Sequence, residues 1–340
     1  MNDLTPARLR ELKRDATIRP VNLARQLGLP EAALVEAELG HGATRIDPTL
    51  SRLFPAIETL GEVMALTRNP SCVIEKIGRY TRFQDGEHAA MTLDPEIDMR
   101  MFPRHWVHAF AVDIDGRRSI QVFDAAGVAV HKVHLRESSD LAAFAALTAE
   151  LALPDQQGLS DFAPRPAPEG ARIVEDNIST LRQEWARMTD THQFNRLVHR
   201  LKMNRLGAYR AAGAPLVRPL AVSSVMTMFE TIRDRDMQVM FFVGNRGCIE
   251  IHSGPMKELH QMGPWLNVLD ERFNLHLRSD HLAEIWAVEK PTRRGPALSV
   301  EAFDSDGELI FQCFGMRQER NGDPEAWASL VAELPGEEGA

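Results

Sequence analysis

The sequence predicts an α+β fold of two tandem structural repeats, each a large antiparallel β-sheet with flanking helices. Three observations carry that expectation. The first is an internal repeat. Adding 176 to each number superposes Val63-Met64 on Val239-Met240, Asn69 on Asn245, Cys72 on Cys248 and Gly78 on Gly254. The same shift carries Asp94 onto Asp270, His105 onto His281 and Ala111-Val112 onto Ala287-Val288 without a gap. After a four-residue insertion, a shift of 180 brings Ser119, Phe123-Asp124 and Gly127 onto Ser299, Phe303-Asp304 and Gly307. The second is a succession of hairpins. R-S-I-Q-V-F-D-A-A-G-V-A-V-H-K-V has two β-rich runs around a D-A-A-G turn, and S-V-E-A-F-D-S-D-G-E-L-I-F-Q repeats it. Hairpins without crossover helices imply antiparallel sheets. The third is the Pro-rich stretch from Pro154 to Gly170. It sets the expected domains at 1–153 and 175–336, with a linker over 154–174.

In chain order, residues 5–40 are helical in pattern. Within them P-V-N-L-A-R-Q-L-G-L-P-E-A-A-L resembles the start of a helix-turn-helix. The recognition helix it would need, P-E-A-A-L-V-E-A-E-L, is acidic and offers nothing to phosphates or base edges. A helical hairpin on a core is the expectation, and a haem-free regulatory module the remote alternative. Strand-like pattern begins at Val63. In V-M-F-F-V-G-N-R-G-C-I-E-I, Gly244 and Gly247 are expected to supply unusual backbone angles to a hairpin. That G-N-R-G is a turn and not a phosphate loop, because no Lys-Ser/Thr follows it into a helix.

The chain of 340 residues, 44% hydrophobic and 26% charged, has the composition of a soluble globular protein of two domains. Its net charge of −9 argues against a nucleic-acid or anionic-membrane partner. M-N-D-L-T-P-A-R-L-R-E-L-K-R lacks the apolar core of a secretory signal, and Leu141 to Leu153 is too short to span a bilayer. Cys72, Cys248 and Cys313 have no metal spacing and read as reduced thiols in a cytoplasm, Cys313 as buried filler.

The stretch Glu184 to Arg210 carries the chemistry. Leu197, Val198, Leu201 and Leu206 recur at helical spacing, and Asp190 with Gln193 reads as a capping pair that starts a helix near Thr191. His192 falls in its first turn, where an imidazole nitrogen is a good ligand for iron or zinc. His192, Arg196, His199 and Met203 share one face. The repeats diverge at two places: Ile18 stands opposite His192, and Arg100 opposite His276. One asymmetric site that draws different residues from each half would leave that pattern.

Three motifs in order, D-M-R-M-F, W-A-R-M-T-D-T-H-Q-F and F-V-G-N-R-G-C, resemble the proteobacterial cytoplasmic haemin-carrier and haemin-degrading family of the HemS/HmuS type. The similarity runs from about residue 20 to 335. The resemblance implies that His192 is the axial ligand of haem b iron and that Arg100 lies over the distal face; His199, seven residues on along the same helix, is the alternate ligand that captures haem after a shift. The resemblance also implies that Arg45, Arg205, Lys290 and Arg317 hold the propionates, and that Phe102 and Phe242 line the macrocycle. The chemistry is consistent: imidazole is a strong iron ligand, and guanidinium offers five donors and keeps its proton. Two departures stand out. Phe314 occupies a position where the family commonly has Tyr, and Leu206-Gly207 replaces a polar Gln pair.

The resemblance further implies a cytoplasmic carrier that takes haem from an ABC importer and passes it to a haem oxygenase, as a monomer or weak dimer. Opening of the macrocycle by the chain itself is the alternative, with Arg100 as its catalytic residue. Electrons would come from outside, because no flavin, nicotinamide or iron–sulfur motif is visible. The pairs His105-x-x-His108 and His131-x-x-His134, if on strands, point to opposite faces and suit no metal site.

Overall fold

A computed structural model describes residues 4–337. The chain divides into two compact units, one of residues 1–68, 74–166 and 244–250, the other of 69–73, 167–243 and 251–340. Its first half runs α1 (Pro6–Asp15), α2 (Pro20–Leu27), α3 (Glu31–Glu36), β1 (Ala43–Ile46), α4 (Leu50–Glu58), β2 (Val63–Arg68), β3 (Cys72–Gly78), β4 (Ala90–Leu93), β5 (Asp98–Met101), β6 (His108–Ile114), β7 (Arg117–Phe123), β8 (Ala129–Leu135) and α5 (Leu141–Leu151). The second half runs α6 (Ile178–Ala186), α7 (Gln193–Arg200), α8 (Arg205–Ala212), β9 (Val217–Leu220), α9 (Ser224–Asp234), β10 (Val239–Gly244), β11 (Cys248–Gly254), β12 (Leu259–Met262), β13 (Trp265–Leu269), β14 (Phe273–Arg278), β15 (Glu284–Lys290), β16 (Ala297–Phe303), β17 (Leu309–Gly315) and α10 (Pro324–Glu333).

The repeat holds at the level of strands. In the first unit antiparallel pairing runs β1-β6-β7-β8-β2. In the second it runs β9-β15-β16-β17-β10, the same order of equivalent strands. Even the irregularity is repeated, between Val122 and Phe123 and between Ala302 and Phe303. The turns are repeated because the same short side chains build them. Asn69 Oδ1 accepts from the Ser71 and Cys72 amides, and Asn245 Oδ1 from those of Gly247 and Cys248. Asp124 and Asp304 do likewise for the D-A-A-G and D-S-D-G turns.

Two local expectations are corrected. Gly244 and Gly247 do not adopt left-handed angles. They are glycines for want of room, since a Cβ at Gly247 would lie 2.5 Å from Val130 and one at Gly244 2.7 Å from the Cys248 carbonyl oxygen. The helical pattern past Leu197 is not one helix. Lys202 turns left-handed at φ 57°, α7 ends, and Asn204 caps a new helix by accepting from the Gly207 amide. Helix α3, the would-be recognition helix, has all six residues buried, so it presents no side chains to a groove. Its Glu31 instead accepts from Lys132 at 2.7 Å and from Arg68. No described helix is long and apolar enough to cross a membrane.

Candidate functional site

The first turn of α7 is built by the capping residues the sequence shows. Gln193 Oε1 accepts from the Thr189 amide at 2.8 Å and from that of Asp190 at 3.3 Å, and Asp190 Oδ1 accepts from the His192 amide at 2.8 Å. His192 therefore sits at the cap itself, one residue before the helix, and is exposed. Its ring nitrogens make no hydrogen bond among the described residues. Below it Phe194 is buried, edge-on to Trp185 at 4.5 Å and tilted on Tyr209 at 5.6 Å. His199 is also exposed, seven residues on and about 10 Å along the axis.

Helices α6, α7 and α8 share a core with Trp286, Val288 and Phe303, on one face of the second unit's sheet. Cross-strand register sets Phe242 opposite Gln312, Gln312 opposite Glu301, and Glu301 opposite Trp286, so these four share that face. At the β10–β17 end the face stays half open. There Phe242 packs edge-on against Phe314, with ring centroids 5.3 Å apart. His192, Phe242, Arg205 and Lys290 thus belong to one face of one unit.

Arg205 and Lys290 meet on Glu301, which is fully buried. Lys290 Nζ donates to Glu301 Oε1 at 2.7 Å and to the Tyr209 hydroxyl at 3.1 Å. Arg205 Nη1 donates to Glu301 Oε2 at 2.8 Å and to Tyr209 at 2.9 Å, and Tyr209 donates its own proton to Glu301 at 2.7 Å. Burial raises the Glu301 carboxyl, but Lys290 and Arg205 overcome it and hold the group well below the usual carboxylate range. Burial pulls Lys290 down to about 8, helped by Arg205 and opposed by Glu301. Lys290 is thus a buried ion-pair partner and not an open cation at a pocket mouth; a resemblance read from sequence had no access to its burial.

The first unit holds Arg100, Phe102 and Arg45. Arg100, on β5, donates to Asp98 and to the Met99 carbonyl oxygen, and its side chain is 32% exposed. Phe102 follows the strand, half buried, its amide bonded to the Gly247 carbonyl oxygen at 2.9 Å. Arg45 bonds Glu36 at 3.0 Å and the Asp155 carbonyl oxygen at 2.9 Å, and its side chain is only 12% exposed. It ties the 155–158 segment to β1, so it too differs from the open cation expected. Arg317 is exposed. In the second His pair, burial pushes His131 down to about 3, and its neutral ring bonds Thr67 and Tyr80; in the first, His105 lies on a short 3-10 turn and only His108 on a strand.

Sequence reasoning passed over Glu301 and Tyr209. One signal was available: the 180-residue shift sets Glu301 opposite Gln121, so a charge appears in only one repeat. The departure at Leu206-Gly207 also has a cause. A Cβ at Gly207 would lie 2.0 Å from the Arg172 carbonyl oxygen, so no Gln fits there.

Fold and site together define a duplicated α+β protein whose second repeat presents an exposed, unpartnered imidazole on the same side of its sheet as an open aromatic strip. The family described as "Haemin-degrading HemS.ChuX domain" matches residues 28–151 and 202–334, and the chain belongs to that family. It is 36% identical over 318 residues to the hemin transport protein HmuS of Yersinia pestis, covering 92% of each chain. Among solved structures, apo-PhuS, a heme-binding protein from Pseudomonas aeruginosa, superposes with a TM-score of 0.93 at 37% identity, over 98% of this chain and 100% of that one. ChuS of Escherichia coli O157:H7, titled a heme degrading enzyme, superposes with a TM-score of 0.87 at 30% identity, over 96% and 97%.

Proposed function

We propose that the chain is a cytoplasmic haem carrier in which His192 supplies the axial ligand to the iron of haem b. It receives haem from an ABC importer and passes it to a haem oxygenase. The observation that carries the reading is the His192 imidazole, exposed at the start of α7 with neither ring nitrogen bonded among the described residues. A neutral imidazole offers one nitrogen lone pair, and iron accepts it. The half-open Phe242–Phe314 strip gives a flat macrocycle an apolar surface. Arg317 is the exposed cation available to the propionates, whereas Arg205, 23% exposed, spends both terminal nitrogens on Glu301, Tyr209 and Asn195. The descriptions of HmuS as a hemin transport protein and of PhuS as a heme-binding protein support the reading.

Replacing His192 with Ala is expected to lower haem affinity about a hundredfold, a loss of about 2.7 kcal/mol, and to shift the Soret band. His199→Ala is expected to do neither. An unchanged spectrum in His192→Ala with loss in His199→Ala would transfer the ligand to His199.

Degradation is the second reading, favoured by Arg100, whose guanidinium spends one nitrogen on Asp98 and the Met99 carbonyl oxygen and stays about one-third exposed. Haem supplies the oxygen activation when a reductant is given; the chain's part is to orient it and donate hydrogen bonds from Arg100. On the carrier reading, single-turnover haem loss with ascorbate is largely suppressed by catalase, and haem transfers readily to an apo haem oxygenase. Sustained, catalase-insensitive conversion to a defined tetrapyrrole, lost in Arg100→Ala, makes the chain an enzyme.

A further inference from the structure

Two cations that resemblance assigns to the propionates are bonded almost wholly inward. Five residues form their cluster: Glu301 accepts from Lys290, Arg205, Tyr209 and, at 2.9 Å, from the Ser299 hydroxyl. The Tyr209 hydroxyl donates once and accepts twice, which uses its full capacity. What the cluster touches beyond itself is α7. Arg205 Nη2 donates to Asn195 Oδ1 at 3.1 Å. The Arg205 guanidinium lies 5.5 Å from the centre of the Phe194 ring, and the Lys290 ammonium 5.0 Å. Phe194 and Asn195 are two and three residues after His192, in the turn that carries it.

We infer that Glu301 is a positioning residue for the iron ligand: it gathers Arg205 and Lys290 beneath the first turn of α7 and so fixes where His192 presents its imidazole. Held by one carboxylate, two flexible cationic side chains become a rigid platform. Without that charge the two cations repel each other beneath the turn, Lys290 loses its ion pair, and Phe194 loses the contacts that fix its height. A ligand displaced by about 1 Å at an iron site costs affinity and changes the electronic spectrum, because neighbouring groups hold first ligands in geometry. This inference rests on the assignment of His192 proposed above.

The test is a double-mutant cycle in the full chain, read by haemin titration and by the Soret and electron paramagnetic resonance signatures of the ferric complex. Glu301→Gln keeps the shape and removes the charge. Its expected effect is an affinity loss of about tenfold, equal to about 1.4 kcal/mol, with a spectrum displaced toward that of His192→Ala. In the His192→Ala background the same substitution is expected to add no further loss, because the platform acts through the imidazole. Equal losses in both backgrounds, or an unshifted spectrum in Glu301→Gln, overturn the inference and make the cluster an independent propionate holder or plain structure. Asn195→Ala, on the exposed side of the same contact, serves if Glu301→Gln does not fold; it is expected to move the spectrum in the same direction by less, and an unmoved spectrum counts against the inference. Failure of the His192 assignment reads differently: His192→Ala then leaves spectrum and affinity unchanged, whatever Glu301→Gln does.

Discussion

The two repeats place buried charge differently on the same strands. β7 carries Ser119-Ile120-Gln121 and β16 carries Ser299-Val300-Glu301, at equivalent places. In the first, the Gln121 amide donates to the Ser119 hydroxyl at 3.0 Å; in the second, the Ser299 hydroxyl donates to the Glu301 carboxylate at 2.9 Å. Across the ladder Gln121 faces Lys132, and Glu301 faces Gln312. The first repeat thus keeps its cations, Lys132 and Arg68, on the sheet and takes the acid, Glu31, from helix α3. The second keeps the acid on the sheet and draws one cation, Arg205, from helix α8. One arrangement pins a buried helix onto the sheet. The other builds a platform under a helix start that remains exposed. Charge is redistributed over equivalent strands with no change in their pairing order.

The largest expected effect tests that asymmetry directly. Glu301→Ala leaves Lys290 and Arg205 without their shared counter-charge and is expected to destabilise the protein by about 3–5 kcal/mol. Gln121→Ala, at the equivalent place, is expected to cost about 1 kcal/mol or less, since it removes a neutral amide. Urea unfolding of both variants checks the contrast, and equal costs would break the comparison.

A smaller effect belongs to the first unit. Glu250 is fully buried beside Thr67, His131 and Cys248, and neither of its oxygens has a hydrogen-bond partner. Burial pushes its carboxyl up from 4.5 to about 8. Between those values the folded state keeps a proton that the unfolded state has released, so stability falls as pH rises through the window and levels off above it. Between pH 5 and pH 8 the loss is roughly 3.5 kcal/mol. Glu250→Gln is expected to flatten this slope and to be the more stable form at pH 8. Unfolding midpoints at pH 5 and pH 8 measure it; parallel slopes for both proteins would refute the assignment.

The smallest effect concerns the aromatic strip. Phe314→Tyr adds a phenol to a half-open surface and is expected to change stability by no more than about 0.5 kcal/mol. On the carrier reading it adds a hydroxyl near bound haem and alters the Soret spectrum slightly. A stability loss above about 1 kcal/mol would show that the strip is closed core.

By itself the sequence determined the parts whose causes are local. Under the 176 and 180 shifts, β2, β3, β6, β7 and β8 begin and end at residues matching those of β10, β11, β15, β16 and β17, from Val63–Arg68 with Val239–Gly244 to Ala129–Leu135 with Leu309–Gly315. They do so because alternation and turn-forming Asn and Asp side chains act over a few residues. The cap at His192 was legible for the same reason: Asp190 and Gln193 bond amides no more than four residues away. Only the tertiary structure decided the break at Lys202, the close approaches at Gly244 and Gly247, and the charge hub. Glu301 is 96 residues from Arg205, 92 from Tyr209 and 11 from Lys290. Nothing local marks a strand Glu as buried or the Arg that opens α8 as its partner. Their pairing follows from which face of the sheet the helices cover, and a buried carboxylate is tolerated only where packing delivers enough donors to surround it.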